Sequence, residues 1–211
     1  IDSLLDLAKH HLPKTALQSH YRSKSLELID FSNQNFYEGK LNMLPDFEEQ
    51  KGKEPPIEYL KVDGEWEKSI NHIEAQKVVE LVFKVLKNSP DKTLGIVTFN
   101  ARQQSHIMDA LEKAQTQNKV QLPNSLFVKN IENVQGDERD IIIFSTAYAP
   151  DKKGNLQMRF GPLNNEGGEN RLNVAITRAK EKVYLVVSVL PNQISVENSK
   201  NTGPKLLKEY L

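Results

Sequence analysis

Short apolar runs rich in β-branched residues recur at 57–62, 94–99, 126–128, 141–147 and 183–189. Each predicts a strand buried on both faces. Between several of them the period changes to that of a helix. Ile73, Val78, Leu81, Val82, Val85 and Leu86 follow Asn71 and Glu74, which form an N-x-x-E capping box. Asn100 and Gln103 make a second box ahead of Ile107, Ala110 and Leu111. Helices alternating with short apolar strands predict an α/β fold, a mostly parallel sheet with helices on both faces. Ligands of such sheets gather past the carboxyl ends of the strands, which directs attention to Phe99, Val128 and Ala147.

Two stretches lack a period. Residues 38–56 carry two glycines and three prolines and read as a surface connection. Residues 148–170 hold four of the ten glycines, and a loop of that length in a compact domain is often functional. With 211 residues, 38% hydrophobic and 27% charged, the chain suits one soluble domain spanning 1–211. Without cysteine there is no disulfide framework and no thiolate zinc site, in keeping with a cytoplasmic protein. The five histidines are scattered, so no metal site is expected. No apolar run is long enough for a membrane span. Twenty-eight basic residues balance 28 acidic ones, so any nucleic-acid contact must use a local patch or a shared cleft rather than a general basic excess. The chain opens on Ile1 within a helical pattern rather than on Met, which predicts a piece of a longer protein.

Three stretches carry candidate chemistry. In Glu169 to Lys180 a helical projection puts Leu172, Ala175, Ile176 and Ala179 on one face. Arg171 and Arg178 then lie within about 20° of each other at its edge. Such guanidiniums can meet an anion; pairing of Arg178 with Glu181, and of Arg171 with a nearby carboxylate, is the plainer alternative. From Asn130 to Phe144 a polar turn feeds an apolar strand. Gly136 is expected to adopt a left-handed conformation, and Glu138 stands where a carboxylate can accept sugar hydroxyls or simply belong to an acidic surface loop. Between Leu17 and Leu41, His20-Tyr21-Arg22-Ser23 precedes a helix running to about Tyr37. There an aromatic beside an arginine suits stacking with phosphate contact, or a core tyrosine with a surface arginine.

Together and in this order the three stretches resemble motifs IV, V and VI of superfamily I helicases. They are most similar to the branch that includes the nonsense-mediated-decay RNA helicase and large bacterial helicases of that type. His20–Ser23 with the following PheSerAsnGlnAsnPheTyr resembles motif IV, ValGlnGlyAspGluArgAsp at 134–140 motif V, and ArgLeuAsnValAlaIleThrArgAlaLys at 171–180 motif VI. GlyIleValThrPheAsn at 95–100 resembles the start of a nucleic-acid-binding loop. The resemblance implies a RecA-like second motor domain of P-loop-NTPase type. It also implies arginine fingers at Arg178 and Arg22, adenine stacking by Tyr21, ribose contact by Glu138 in a loop shaped by Gln135 and Gly136, and backbone contact with nucleic acid by Thr98 and Asn130. Gln103 is explained by its capping box without any ligand.

No G-x-x-x-x-G-K-[ST] sequence occurs in the chain, and no acidic Walker B pattern follows a strand. ATP with Mg²⁺ is therefore expected to be held mainly by a first RecA-like domain of the same protein, leaving this chain inactive alone. The partners implied are that domain and single-stranded DNA or RNA, with no membrane. The alternative is a degenerate helicase domain that binds nucleic acid or protein without turnover. A dinucleotide-binding Rossmann enzyme is disfavoured because no G-x-G-x-x-G follows a strand.

Overall fold

The computed structural model describes residues 8, 11–13, 19–20, 22–43 and 55–211. Two short strands, β1 (Ser19–His20) and β2 (Asn42–Met43), pair in parallel on either side of α1 (Glu27–Phe36). The main sheet follows with β3 (Ile57–Lys61), α2 (His72–Asn88), β4 (Leu94–Thr98), α3 (Ala101–Asn118), β5 (Phe127–Asn130) and β6 (Arg139–Ser145). It ends with α4 (Gly168–Ile176), β7 (Ala179–Val187) and a last helix, α5 (Gly203–Tyr210). The strand order is β3-β7-β6-β4-β5, and every neighbouring pair is parallel. All five expected strands form, and the architecture is the expected α/β one, a parallel sheet with helices on both faces.

Parallel strands joined by helices must bury both faces, and side-chain alternation divides this core cleanly. Ile96, Ile141, Ile143, Tyr184 and Val186 face α2 and α3, where Val78, Val82, Ile107 and Leu111 cover them. Their neighbours Val97, Ile142, Phe144, Leu185 and Val187 face the other way, against Leu28 of α1, Leu172 and Ile176 of α4 and Leu207 of α5.

Both expected capping boxes form only by half. Asn71 accepts from the Glu74 N–H at 3.0 Å and Asn100 from the Gln103 N–H at 2.8 Å. Neither N3 side chain turns back to its own cap. Gln103 crosses to the other helix, accepting from the Asn71 N–H at 2.8 Å and donating to the Asn71 carbonyl at 3.0 Å. Glu74 turns into the sheet instead.

The stretch 148–170 is more ordered than its sequence suggests. A bridge joins Pro150 to Leu156, a 3-10 turn covers Gly161–Asn164, and α4 begins at Gly168. That turn is wedged between two helix starts. A Cβ on either Gly168 or Gly203 would lie 2.2 Å from the Leu163 carbonyl oxygen, so both positions need glycine for close approach.

Candidate functional site

The three motif stretches meet at the amino ends of β6 and β7, the opposite end of the sheet from the one the general rule for α/β folds indicates. Arg139 at the start of β6 lies in register with Ala179 at the start of β7, so the residues before each strand, Glu138 and Arg178, are brought side by side. Arg22 reaches them from the segment between β1 and α1. The Ser23 hydroxyl donates to the Ala179 carbonyl at 3.1 Å and the Lys24 N–H to the Lys180 carbonyl at 2.8 Å.

Within this cluster Arg22 Nε donates to Glu138 Oε2 at 2.7 Å, and the other carboxylate oxygen takes Lys180 Nζ at 2.8 Å. Hydrogen bonds from Lys180 and Arg22 hold the Glu138 pKa down to about 2. Glu138 is thus ionised, with one cation on each oxygen and its side chain still 40% exposed. Arg178 is arranged differently. Its Nε donates to the Val174 carbonyl at 2.7 Å, Nη1 to the Asp137 carbonyl at 3.2 Å and Nη2 to the Thr177 hydroxyl at 3.1 Å. All three acceptors are neutral. Burial and the neighbouring Arg22 guanidinium lower its pKa from the ordinary arginine value. Burial, Arg22 and Arg178 likewise lower that of His20, whose Nε2 accepts the Ser23 N–H at 2.9 Å.

The helical projection of motif VI needs correction. The helix stops at Ile176, and Thr177 turns the chain into β7. Arg171 lies on α4, whereas Arg178 lies off it. The expected buried face holds, with Leu172, Ala175, Ile176 and Ala179 at 1% exposure or less, but Ala179 is buried as a strand residue. Glu181 does not pair with Arg178; Lys24 at 2.7 Å and Lys92 at 2.6 Å take it. One guanidinium nitrogen of Arg171 is buried without a hydrogen-bond partner.

In motif V, Gly136 has φ +86°, as expected. The Asp137 N–H bonds the Val134 carbonyl at 3.3 Å, a turn whose third residue must have positive φ. Gln135 is exposed at its tip. Tyr21 lies outside the described residues.

Thr98 and Asn130 stand at the far, carboxyl ends of β4 and β5, paired with each other in register. Both are buried, and their polar groups are engaged within the chain. Thr98 is fully buried and its hydroxyl donates to the Asn100 carbonyl at 3.0 Å; Asn130 is 8% exposed and its Oδ1 accepts the Glu132 N–H at 3.0 Å. Both shape the loops that begin there. Beside the first loop, at the amino end of α3, a cleft of about 330 Å³ is lined by Arg102, Ser105 and His106 among others.

Sequence reasoning missed Lys180, Thr177 and Asp137 as parts of the cluster, although all three lie inside the stretches it singled out. It also missed the polar group behind the strand ends, where Glu74, Ser145 and Ser188 are buried together. The short apolar–polar switches at Ser145 and Ser188, each ending an apolar strand, are the signal for it.

Residues 2–189 match a family model described as AAA domain. The chain belongs to that family. Within it, this is a superfamily I helicase C-terminal domain. It is 40% identical over 93% of its length to the "Uncharacterized ATP-dependent helicase MG140" of Mycoplasma genitalium, and spans 18% of that protein. It is 28% identical over 81% of its length to the "Regulator of nonsense transcripts 1 homolog" of Drosophila melanogaster, spanning 15% of it. A crystal structure of the C-terminal domain of a possible DNA helicase from a Lactobacillus aligns with a TM-score of 0.46 and 18% identity, covering 80% of this chain and 87% of that one. Among the described residues no helix is long and apolar enough to cross a membrane, and no group of three or more acidic, histidine or cysteine side chains is placed to hold a metal ion.

Proposed function

We propose that this helicase domain is the second motor domain of a cytoplasmic, ATP-dependent superfamily I helicase. It contributes the arginine fingers Arg178 and Arg22 to a nucleotide cleft shared with a first RecA-like domain. It also contributes part of the track for single-stranded DNA or RNA. The observation carrying this reading is the cluster itself: the Arg22 guanidinium and the Lys180 ammonium on one carboxylate with the Arg178 guanidinium beside them, contributed by three stretches far apart in sequence.

The side chains fit a nucleotide. Arg178 donates to neutral oxygens and feels the Glu138 and Asp137 carboxylates only through space, and its planar fork suits a phosphate. Glu138 is a strong acceptor at any physiological pH and would take ribose hydroxyls, with Gln135 and Gly136 shaping its loop and Tyr21 stacking on the base. Lys180 stays on the carboxylate's second oxygen and keeps it oriented. ATP bound with Mg²⁺, held mainly by the first domain, would supply a phosphoryl group whose oxygens gather charge during transfer. Arg178 and Arg22 then act by stabilising that charge when the cleft closes. Thr98 and Asn130 act through the loops they brace, with Arg102 on the surface above them.

A binding module without turnover is the rival, and Arg22, Glu138 and Arg178 brought together in one cluster favour the motor. The test is strand-stimulated ATP hydrolysis by the full-length protein carrying Arg22→Ala. Turnover falls by about 10³-fold or more while ATP still binds. Undiminished turnover refutes the reading.

A further inference from the structure

Glu74, in the first turn of α2, has no part in the nucleotide cluster, yet it is fully buried and surrounded by donors. Its Oε2 accepts from the Ala147 N–H at 2.7 Å and the Ser145 hydroxyl at 2.8 Å. Its Oε1 accepts from the Ser188 hydroxyl at 3.0 Å and the Thr146 hydroxyl at 3.5 Å. A carboxylate has about four lone-pair sites, and here each is taken.

Two of these contacts bear on the strand ends. Ala147 has φ +62°, a left-handed conformation that a residue with a Cβ adopts only when its surroundings hold it there. Ser145 is paired in register with Thr98, and Thr98 with Asn130. The grip of Glu74 on Ser145 therefore continues directly into the row from which the loops after β4 and β5 spring. Gln103 Nε2 donates to the same Ser145 hydroxyl at 3.0 Å, tying in the start of α3, where Arg102 lies.

We propose that Glu74 is a positioning residue for nucleic-acid binding, its carboxylate setting the 145–147 turn and, through Ser145, the strand-end row of Thr98 and Asn130. This rests on the reading that the single strand crosses the carboxyl ends of these strands. Filling the core would not require a carboxylate, since burying its charge is costly and an apolar side chain of similar volume avoids that cost. Burial pushes the Glu74 pKa up to about 7 against four opposing hydrogen bonds, from Ala147, Ser145, Ser188 and Thr146. The titratable groups that feel its charge are Tyr59 on β3 and Tyr148 beyond β6, both pushed up mainly by their own burial; among the described residues no charged side chain enters its own balance. Protonation removes the charge that strengthens all four bonds, those from Ser145 and Ala147 included. Glu74→Gln fixes this state at every pH.

The experiment measures, in the full-length protein between pH 6 and 8.5, the single-strand concentration that gives half-maximal stimulation of ATP hydrolysis. At pH 8, Glu74→Gln raises it about fivefold, the worth of one net hydrogen bond, while turnover at saturating strand is retained. The gap closes toward pH 6, where the wild type is protonated too. Ser145→Ala, which cuts the link to the row with a small change in volume, shifts the same quantity in the same direction and serves if Glu74→Gln does not fold. Arg102→Glu, on the exposed surface, reports on the underlying reading and weakens strand response at every pH. If Arg102→Glu weakens it while Glu74→Gln and Ser145→Ala match wild type at pH 8, the role of Glu74 is overturned and the reading stands. If Arg102→Glu has no effect, the strand does not cross this face and both are overturned.

Discussion

Replacing Arg178 separates chemistry from architecture, because the structure gives this side chain both. Its guanidinium donates to the Val174 carbonyl in the last turn of α4 and to the Asp137 carbonyl in the motif V turn, so Arg178→Ala leaves two acceptors short of a donor. Charge-assisted bonds of this kind contribute about 1.5–3 kcal/mol when buried. This site is half-buried and water replaces part of that, so a loss of about 1–2 kcal/mol is expected in total. For a domain of this size that lowers Tm by roughly 2–8 °C, a measurable change that leaves the protein folded at 25 °C. Turnover responds on another scale: an arginine finger is worth about 10³ to 10⁵ in rate, far beyond the fraction of molecules that such a loss unfolds. Arg178→Lys keeps the charge but not the fork and rescues poorly. Tm, nucleotide affinity and strand-stimulated turnover, measured on one preparation of the full-length protein, separate the two contributions. A variant that melts early but turns over normally per folded molecule refutes the finger and leaves Arg178 as a brace between α4 and the motif V turn.

The 211-residue chain by itself, which lacks a P-loop sequence, releases no phosphate from ATP with or without single strands; steady release abolished by Arg178→Ala would contradict this. Its single-strand affinity, followed by fluorescence anisotropy, is weak and falls steeply with salt, as zero net charge and half a cleft require; tight, salt-resistant binding would place the main surface elsewhere. Gly168→Ala sets a Cβ against the Leu163 carbonyl oxygen and costs on the order of 1–3 kcal/mol, read as a fall in Tm; an unchanged Tm would show that the 3-10 turn yields. Glu74, with its folded pKa raised from 4.5 to about 7, binds a proton more tightly when folded. Its contribution to stability is full below pH 4.5 and is lost as pH rises through 7, by about 3 kcal/mol. Denaturant melts from pH 4 to 8 show that slope flattened in Glu74→Gln, and an identical slope would refute the assignment.

The strands and both long helices were legible because period and capping are local properties: Asn71 and Asn100 cap where the sequence says they do. The fate of the N3 side chains was not. Gln103 and Glu74 fit a reciprocal box equally well, and only the proximity of two helix starts and two strand ends, a tertiary fact, draws Gln103 onto Asn71 and Glu74 onto Ala147. The same limit misplaced Arg178. Ala179, Lys180, Glu181 and Lys182 alternate small, basic and acidic residues without an apolar run, so the first half of β7 looks helical until pairing with β6 claims it. Thr98 falls inside the apolar run 94–99 and Asn130 in the polar turn after 126–128, whereas the strands end on them, and a polar residue there looks the same in sequence whether it faces solvent or braces its own loop.

The Arg22–Glu138–Arg178 cluster and the residues that Glu74 grips lie at opposite ends of the central strand β6. Seven residues of β6 separate Glu138 from Thr146, roughly 26 Å of extended backbone, hydrogen-bonded on both sides and packed on both faces. Such a strut neither bends nor slips in register without giving up the core around it. A force applied at one end therefore reaches the other as tilt and translation of the whole body, like a crowbar rather than a chain of dominoes. Amide hydrogens of β6 and β7 should accordingly exchange slowly in every nucleotide state, with the changes confined to the rim of the domain.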